Sequence, residues 1–363
     1  GVEIIFGYPG GAVLTLYDAL YRAEFPHILT RHEQGAVHAA DGYARATGKV
    51  GVCFATSGPG ATNLVTGIAT AYMDSVPLVA ITGQVGVSFI GKDSFQEADI
   101  CGITTPITKH NYLVKRVQDL PKILKEAFYI ARTGRPGPVI VDISKDVFNA
   151  AFDYHYPETV ELRGYKPLYD GNPDKIAAAV AELAQAKKPL VFVGGGVNLS
   201  DTTESLRQLV TIIQTPVISS LMGLGCIPAD WPQHLGMVGM HGSYAANVAV
   251  TECDLLLAVG ARFDDRVISV AKHFAPKARI VHFDIDPAEV NKNIRCDIRV
   301  IGDLRWSLPL LSEKTIQSRT SDAWADTTAW MEQVLLWKAE KTPTENPAAG
   351  TDVPRVVIEK IAA

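Results

Sequence analysis

Short runs of apolar residues alternate with longer amphipathic segments along most of this chain of 363 residues. Apolar runs between Gly- and Pro-rich turns predict buried strands, and apolar positions three and four apart predict helices. Strands are predicted at residues 2–6, 28–30, 50–56, 77–82, 138–143, 189–193, 216–220, 254–259 and 279–285. Helices are predicted up to 21, from 33, from 57–60 through 71, and at 121–132, 174–186, 201–214 and 243–252. Residues 83–120 read as irregular.

Strands that are apolar throughout and alternate with helices indicate parallel sheets covered on both faces. The predicted fold class is therefore α/β, with two doubly wound parallel-sheet domains. The predicted organisation is a first domain at 1–150, a linker at 151–173, a central domain at 174–312, a helical segment and linker at 313–352, and the start of a truncated third domain at 353–363.

Composition narrows the classes of function. The formal net charge of −5 argues against nucleic-acid binding, and no apolar run approaches the length of a membrane span. The five cysteines are scattered and form no CxxC pair, which favours reduced thiols and a cytoplasmic protein. The chain lacks an initiator Met, so we expect earlier residues, and an organellar location if they include a targeting peptide. No histidine or cysteine has a partner at metal-ligand spacing, so no metal ligand is predicted.

The stretch from Arg31 to Gly48 contains a candidate functional residue, Glu33. Glu33 lies where a helix begins, and the residues behind it are small: Gly35, Ala36, Ala39, Ala40, Gly42 and Ala44. Small residues three and four apart let another backbone approach closely, so we expect Glu33 in a tight seam where loss of water favours its protonated form. A solvated glutamate at a helix N-terminus is the alternative.

Gly- and Pro-rich loops follow three of the predicted strands, at residues 7–11, 57–60 and 83–86. Ligands of open parallel sheets bind at the carboxyl ends of strands, where glycines let a flat ligand approach the backbone. Tight strand-to-helix turns explain each loop equally well, but three loops near an isolated glutamate favour a ligand.

A triple glycine, Gly194-Gly195-Gly196, follows the strand that ends at Val193 in the second domain. It is not the dinucleotide fingerprint GxGxxG, and no acidic residue follows at the expected distance. Taken alone, it favours a loop over a cofactor site.

Longer motifs resemble the thiamine-diphosphate enzymes, and within them the acetolactate (acetohydroxyacid) synthase catalytic subunits. The resemblance to the pyrimidine-binding domain of thiamine-diphosphate enzymes rests on four motifs: Gly7-Tyr8-Pro9-Gly10-Gly11, Arg31-His32-Glu33-Gln34-Gly35-Ala36, Ala40-Asp41-Gly42-Tyr43-Ala44-Arg45 and Thr56-Ser57-Gly58-Pro59-Gly60-Ala61-Thr62-Asn63. The resemblance to acetolactate synthases in particular rests on four others: Asp93-Ser94-Phe95-Gln96-Glu97, Thr108-Lys109-His110-Asn111-Tyr112, Gly134-Arg135-Pro136-Gly137-Pro138 and Gly260-Ala261-Arg262-Phe263-Asp264-Asp265-Arg266.

The resemblance implies that the first domain binds the aminopyrimidine of thiamine diphosphate and that Glu33 hydrogen-bonds its N1′ atom. The pyrimidine pocket would be lined by Tyr8, Pro9, Gly10, Pro59 and Asn63. Phe95, Gln96 and Lys145 match positions at the active-site mouth, with Gln96 and Lys145 counted with Glu33 as catalytic. A solvated lysine is an equally good interpretation of Lys145.

The resemblance also implies that the central domain binds FAD, without a net redox role. The implied contacts are Arg135, Gly194, Gly195, Gly196, Leu221, Met222, His241, Gly260, Arg262, Asp264, Arg266, Asp284 and Ile285. Salt bridges of Asp264 and Asp265 with Arg262 and Arg266 are an alternative that is compatible with FAD.

The implied reaction decarboxylates pyruvate and joins the product to a second 2-oxoacid, pyruvate or 2-oxobutyrate, in branched-chain amino-acid biosynthesis. A homodimer or tetramer and a regulatory small subunit are the implied partners. Mg²⁺ is expected on a Gly-Asp-Gly…Asn motif of the third domain, to which Gly302-Asp303-Leu304 is only a misplaced near match. The chain alone is thus expected to be inactive. Pyruvate oxidase, glyoxylate carboligase (disfavoured by Glu33) and a non-catalytic FAD-binding module are the alternatives.

Overall fold

The computed structural model describes residues 1–268, 270–321 and 323–340. The chain divides into two compact units, the first ending at Pro167 and the second beginning at Leu168. Each unit is built on its own sheet, and each is described by itself below.

The first unit contains a six-stranded sheet in which all pairs of neighbouring strands are parallel. Its strands are β1 Ile5–Gly7, β2 His27–Leu29, β3 Gly51–Ala55, β4 Leu78–Gln84, β5 His110–Val114 and β6 Pro138–Ser144, in the order β2-β1-β3-β4-β6-β5. Its helices are α1 Leu14–Arg22, α2 Glu33–Thr47, α3 Pro59–Thr62, α4 Val65–Met73, α5 Ile100–Thr104, α6 Leu120–Arg132 and α7 Lys145–Asn149.

Strands β3, β4 and β6 are buried along their whole length, which explains why they are predominantly apolar at successive positions. Separate apolar clusters fill the two faces of the sheet. Helix α2 lies very close to the sheet, because a Cβ on Gly51 would come within 2.2 Å of the Ala40 carbonyl oxygen. Glycine at 51 therefore brings the helix that begins at Glu33 directly against the strand ends.

The second unit contains another six-stranded parallel sheet. Its strands are β7 Pro189–Val193, β8 Val217–Ser219, β9 His234–Met237, β10 Leu255–Val259, β11 Arg279–Asp284 and β12 Ile298–Ile301, in the order β12-β11-β10-β7-β8-β9. Its helices are α8 Pro173–Gln185, α9 Gly196–Leu199, α10 Thr203–Ile213, α11 Tyr244–Glu252, α12 Leu304–Ser321 and α13 Thr328–Ala339. This strand order is that of a dinucleotide-binding doubly wound fold.

The fold class of two doubly wound parallel-sheet domains is confirmed, but some elements were predicted wrongly. Residues 83–120 are not irregular, because β5 forms there, and β9 and β12 were also missed. All of these missed strands lie at sheet edges, where burial is less complete and the apolar run is weaker. The helix predicted through residue 71 is broken between Thr62 and Val65.

The helical segment predicted after residue 312 begins earlier, at Leu304. The predicted linker at 341–352 and the start of a third domain at 353–363 lie outside the described residues. All five cysteines are free thiols. Among the described residues, no helix combines the length and the apolar character that crossing a membrane requires.

Candidate functional site

The first candidate site lies between β1 and β3, where the strand order reverses. The chain leaves β1 toward β2 on one side and leaves β3 toward β4 on the other, which opens a crevice at the carboxyl ends of the strands. The loop 8–11 follows β1, and the loop 56–58 follows β3. Sheet topology thus brings together two of the Gly- and Pro-rich loops singled out in the sequence.

Helix α2 presents Glu33 at this crevice. Its N-cap is His32, in an extended conformation with φ −159°, and the His32 Nδ1 atom accepts a hydrogen bond from the Gln34 amide. Glu33 is only 8% exposed. The alternative of a solvated glutamate at a helix N-terminus is therefore wrong.

The two carboxylate oxygens of Glu33 have different surroundings. Asn63 Nδ2 donates a 2.9 Å hydrogen bond to Oε2. Oε1 accepts no hydrogen bond from any described residue and lies 3.1 Å from where a Cβ on Gly60 would be. Gly60 therefore leaves room beside Oε1, and Asn63 fixes the orientation of the carboxylate.

Thr56, to which the sequence analysis gave no role, organises the crevice. Its Oγ1 accepts a 3.2 Å hydrogen bond from the Ala12 amide. A Cβ on Gly10 would lie 2.4 Å from Thr56 Cγ2, and one on Gly60 would lie 2.7 Å from the same atom. Thr56 thus packs both glycine loops, and its place at the end of β3 was the signal that could have found it.

A buried hydroxyl lies behind the crevice. Tyr17 on α1 places its OH 2.4 Å from the position of a Cβ on Gly7, and this OH is buried without a hydrogen-bond partner among the described residues. Burial raises the pKa of Tyr17, and the charges of Cys53 and Glu33 raise it further. Tyr17 therefore stays neutral at physiological pH.

The other predicted residues of the first unit line the crevice unequally. Tyr8 and Phe95 are exposed, Phe95 to 88%, and Pro59 opens α3 directly after Gly58. The Gln96 carbonyl oxygen lies 2.6 Å from the position of a Cβ on Gly58, which has φ +60°. The structure thus brings the main chain of Gln96 against the turn at Gly58 and leaves the Phe95 ring in solvent.

Lys145 opens α7 directly after β6 and is exposed. It makes no ion pair or hydrogen bond in the part of the chain that the structure describes. Its neighbour Asp146 accepts a 2.6 Å hydrogen bond from the Val87 amide, which ties α7 to the loop after β4. Lys145 is therefore at a strand end, as predicted, with its charge unpaired among those residues.

The second candidate site lies between β7 and β10, where the order of the second sheet reverses. A Cβ on Gly194 would come within 2.1 Å of the Gly260 carbonyl oxygen, and one on Gly196 within 2.8 Å of Gly260 Cα. The Gly196 amide donates a 2.9 Å hydrogen bond to the Gly260 carbonyl. Two glycine loops therefore meet backbone to backbone, and Gly260 has φ +56°.

Arginines flank this glycine contact. Arg262 lies 4.0 Å from Asp264, and Arg266 lies 3.9 Å from Asp265, both at the outer limit of an ion pair. Asp264 Oδ1 instead accepts hydrogen bonds from the Arg266 amide at 3.1 Å and the Val267 amide at 3.2 Å. Asp264 thus shapes the loop, and the arginine charges are only weakly compensated by these partners.

The remaining predicted contacts of the second unit differ in exposure. Leu221 is 69% and Met222 is 42% exposed, and Met222 Cβ lies 2.9 Å from the position of a Cβ on Gly195. His241 is exposed, and Ile285 is half-buried. Arg135 belongs to the first unit, where its Nε donates a 2.8 Å hydrogen bond to Ser75 Oγ.

A buried histidine contacts the loop that follows β10 at this second site. His282 on β11 is fully buried, and its Nε2 lies 2.9 Å from the Ala261 carbonyl oxygen and 3.6 Å from Asp284 Oδ2. Its Nδ1 lies 3.7 Å from Cys296 Sγ. Burial lowers the pKa of His282, but the hydrogen bonds and charges of Asp284 and Cys296 outweigh it and raise the pKa to about 9. From the sequence, His282 was interpreted as a structural histidine without a partner at metal-ligand spacing.

Among the described residues, no three acidic, histidine or cysteine side chains are grouped as metal ligands. Asp303, the near match to a metal motif, instead pairs with Arg305 at 2.6 Å.

Two family models match this chain. Residues 1–103 match the N-terminal TPP binding domain of thiamine pyrophosphate enzymes, and residues 176–311 match their central domain. The matched ranges contain the two crevices described above. The chain belongs to the thiamine pyrophosphate enzymes, of which it carries the N-terminal and central domains.

Within this family the chain is similar to acetolactate synthases. It is 52% identical to the probable acetolactate synthase large subunit of Methanocaldococcus jannaschii, over 94% of this chain and 58% of that protein. It is 49% identical to the acetolactate synthase large subunit of Haemophilus influenzae and 47% identical to the isozyme 3 large subunit of Escherichia coli, each over 99% of this chain and 63% of the relative. The resemblance stated from the motifs is confirmed, and the chain spans about three fifths of the length of these relatives.

Proposed function

We propose that this chain is the part of an acetolactate synthase large subunit that activates thiamine diphosphate and binds FAD. The single observation that supports the first half is the buried Glu33 at the crevice between β1 and β3. Its Oε2 is held by Asn63, and its Oε1 is left beside Gly60. A carboxyl group held in this way can exchange a proton with a ring nitrogen of a bound ligand.

The residues of the crevice fit the aminopyrimidine ring. Gly10 and Gly60 pack closely on Thr56, since a Cβ at either position would lie within 2.7 Å of Thr56 Cγ2, and the two loops therefore present no side chain at positions 10 and 60 to the space in front of them. Tyr8, Pro9 and Pro59 border this space on the two loops. Thiamine diphosphate, when bound, supplies the electron sink for decarboxylation of a 2-oxoacid.

The work of this chain is then to hold and move one proton. Asn63 donates to Oε2 and thereby turns Oε1 toward the ligand. Burial of Glu33 excludes water from the carboxylate, so that proton exchange takes place with the ligand. Gln96 and Lys145 are proposed to meet the carboxylate of the 2-oxoacid, because an amide and an ammonium group both bind anions.

We propose that the crevice between β7 and β10 binds FAD. The contact between Gly194 and Gly260 leaves no room for a Cβ and keeps both loops without side chains at these positions, where doubly wound sheets bind dinucleotides. Arg262 and Arg266 would pair with the pyrophosphate. Their ion pairs with Asp264 and Asp265, at 4.0 Å and 3.9 Å, are at the outer limit of such contacts and leave the guanidinium groups able to bind an anion. Asp284 ends β11 and Ile285 follows it, where the adenosine would lie.

Several expectations remain proposals. The large-subunit names of the relatives support a regulatory small subunit and pyruvate as substrate. The homodimer or tetramer, 2-oxobutyrate as a second acceptor and a cytoplasmic location rest on the resemblance and on the reduced thiols. The described residues offer no ligand set for Mg²⁺, and no step above uses this ion.

The test is acetolactate formation from pyruvate by the full gene product that contains this chain, with thiamine diphosphate, Mg²⁺ and FAD added. We expect Glu33→Gln to lower kcat by about 10²- to 10⁴-fold, because the variant cannot exchange the proton. Glu126→Gln is the matched control, since Glu126 is equally buried at 7% exposure but binds Tyr112 OH away from the crevice. Equal activities of the two variants, or no acetolactate from the unmodified protein, would refute the proposal.

The FAD half has a separate test. We expect the protein to bind FAD without its reduction by pyruvate under anaerobic conditions. Reduction of FAD by pyruvate would instead indicate a pyruvate oxidase. Absence of FAD binding would contradict the site between β7 and β10.

A further inference from the structure

A second buried carboxyl group lies in the first unit, away from Glu33. Asp142 on β6 is 1% exposed and faces the neighbouring strand β4. Its Oδ1 accepts a 2.7 Å hydrogen bond from Thr82 Oγ1, and its Oδ2 accepts a 2.9 Å hydrogen bond from Gln84 Nε2. A carboxyl group inside a covered sheet is costly even with such partners, so its position calls for an explanation.

Gln84 connects this carboxyl group to the loop that carries two of the predicted site residues. Gln84 Nε2 also donates a 2.7 Å hydrogen bond to the Ala98 carbonyl oxygen. Gln84 Oε1 accepts a 2.9 Å hydrogen bond from the Val85 amide. With 4% exposure, the whole amide group of Gln84 is committed to these partners, and its orientation is fixed by Asp142.

The loop at residues 91–98 is held by its own hydrogen bonds and contacts the turn at Gly58. The Glu97 carboxylate accepts hydrogen bonds from the amides of Gly91, Lys92 and Ser94. Gln96 has the left-handed φ of +58°, and its carbonyl oxygen lies against Gly58. A shift of Ala98 would therefore move Phe95 and Gln96 relative to the crevice at Glu33.

We propose that Asp142 and Gln84 are positioning residues, which hold the segment 95–98 against the Gly58 turn and thereby place Gln96 and Phe95 for the 2-oxoacid. The role of Gln96 and Phe95 in binding the 2-oxoacid rests on the proposed function. The hydrogen-bonded connection from β6 through Gln84 to Ala98 is independent of the proposed function.

Protonation of Asp142 adds a pH dependence to this connection. Burial raises the pKa of Asp142 to about 7, although the hydrogen bonds from Thr82 and Gln84 lower it, and the charge of Asp99 raises it further. Asp99 and Cys101, at the start of α5, are the titratable groups that interact with it, and burial together with Asp142 and Asp99 raises the pKa of the Cys101 thiol to about 12. Of Asp142 and Cys101, only Asp142 changes its charge near neutral pH.

The proton must go to Oδ1. The Thr82 hydroxyl can reverse and accept a hydrogen bond, whereas the Gln84 amide nitrogen can only donate. Oδ2 then remains an acceptor for Gln84 but loses its charge, and a hydrogen bond to a neutral oxygen is about half as strong. The segment 95–98 is therefore held more weakly as the pH falls through 7.

Hydrogen–deuterium exchange of a peptide covering residues 94–99 tests this proposal without any catalysis. Gln84→Met removes both donors and keeps the side-chain length, and we expect roughly tenfold faster exchange of this peptide. Thr82→Val is the matched control, because it removes a buried hydrogen bond of the same carboxyl group but leaves Gln84 on Ala98; we expect less than about a threefold change. Asp142→Asn keeps both hydrogen bonds and removes the charge, so the peptide should lose its pH dependence between pH 6 and 8, after correction for intrinsic exchange.

Equal exchange in Gln84→Met and Thr82→Val, or faster exchange spread evenly over β4 and β6, would overturn the proposal in favour of a purely structural network. If Gln84→Met does not fold, Asp142→Asn decides, and an unchanged pH dependence in this variant refutes it. In the active gene product, Gln84→Met should raise KM for pyruvate more than it lowers kcat. Loss of exchange protection with an unchanged KM would leave the connection intact and instead contradict the proposed roles of Phe95 and Gln96.

Discussion

The two sheet reversals of this chain are built differently, although both are glycine-lined crevices at the carboxyl ends of parallel strands. Between β1 and β3, Gly10 and Gly60 face a side chain, Thr56, at 2.4 Å and 2.7 Å. Between β7 and β10, Gly194 faces backbone, the Gly260 carbonyl oxygen, at 2.1 Å. The first crevice can adapt by moving a side chain, whereas the second is fixed by the main chain.

The difference fits the chemistry proposed for each crevice. The first unit combines its crevice with buried carboxyl groups, those of Glu33 and Asp142. The second unit combines its crevice with a half-buried arginine, Arg262, an exposed arginine, Arg266, and a buried histidine, His282, whose Nε2 lies 2.9 Å from the Ala261 carbonyl oxygen. On the same architecture we thus propose proton exchange in the crevice of the first unit and anion binding in that of the second.

The largest expected effect separates the units by pH. The pKa of Asp142 is raised to about 7 by burial, so the folded state holds its proton more tightly than the unfolded state does. The contribution of Asp142 to the free energy of unfolding of the first unit is fully present below about pH 4. This contribution, up to about 4 kcal/mol, is lost as the pH rises to about 7. For His282, whose pKa is raised to about 9, the contribution is present below about pH 6.5 and is lost by about pH 9.

Hydrogen exchange of slow amides in β4 and β6, compared with β10 and β11, measures the pH window over which each unit loses stability: about pH 4 to 7 for the first unit and about pH 6.5 to 9 for the second. Asp142→Asn should abolish only the first window and stabilise the first unit at pH 8. His282→Gln, which keeps a donor for the Ala261 carbonyl, should abolish only the second. A shared window in both units would contradict the assignment.

Gly194→Ala should destabilise the second unit by about 3 kcal/mol, because the new Cβ overlaps a backbone oxygen that has no room to move. Chemical denaturation followed by exchange in β7 and β10 measures this loss. A loss below about 1 kcal/mol would show that the glycine contact relaxes easily.

Gly10→Ala should cost the first unit less, about 1–2 kcal/mol, because Thr56 can yield by giving up its hydrogen bond with the Ala12 amide. The same denaturation measurement applies. Adding Thr56→Ser, which removes the clashing methyl group, should recover most of the loss, and no recovery would contradict the side-chain explanation.

Gly42→Ala gives the smallest expected change, a gain of about 0.5–1 kcal/mol. Gly42 lies inside α2, and a Cβ there would meet nothing within 4 Å, so alanine adds helix propensity without a clash. Thermal unfolding checks this gain. A loss of stability would show that a partner surface packs on this exposed position.

Much of the fold and of the first site could be predicted from the sequence, because the relevant signals are local. Buried strands such as β4 and β7 are short apolar runs between turns, and Glu33 lies within 24 positions of the loops at 7–11 and 57–60 that suggested a ligand. The edge strands β5, β9 and β12 were missed because their burial is incomplete and their pattern is weak.

The tertiary structure alone decided which strand ends meet. Strand order places the loop after β1 beside the loop after β3, and it pairs β7 with β10 although 61 residues, 194–254, separate these two strands along the chain. No local sequence pattern spans such a distance.

The same reason explains why the connection from Asp142 through Gln84 to Ala98 was not foreseen. Asp142 and Gln84 are 58 positions apart, and each looks like an ordinary polar residue at the end of an apolar run. Sequence patterns record which residues are buried, since burial acts on each residue separately. Hydrogen bonds between distant residues depend on strand order and register, which only the folded chain determines.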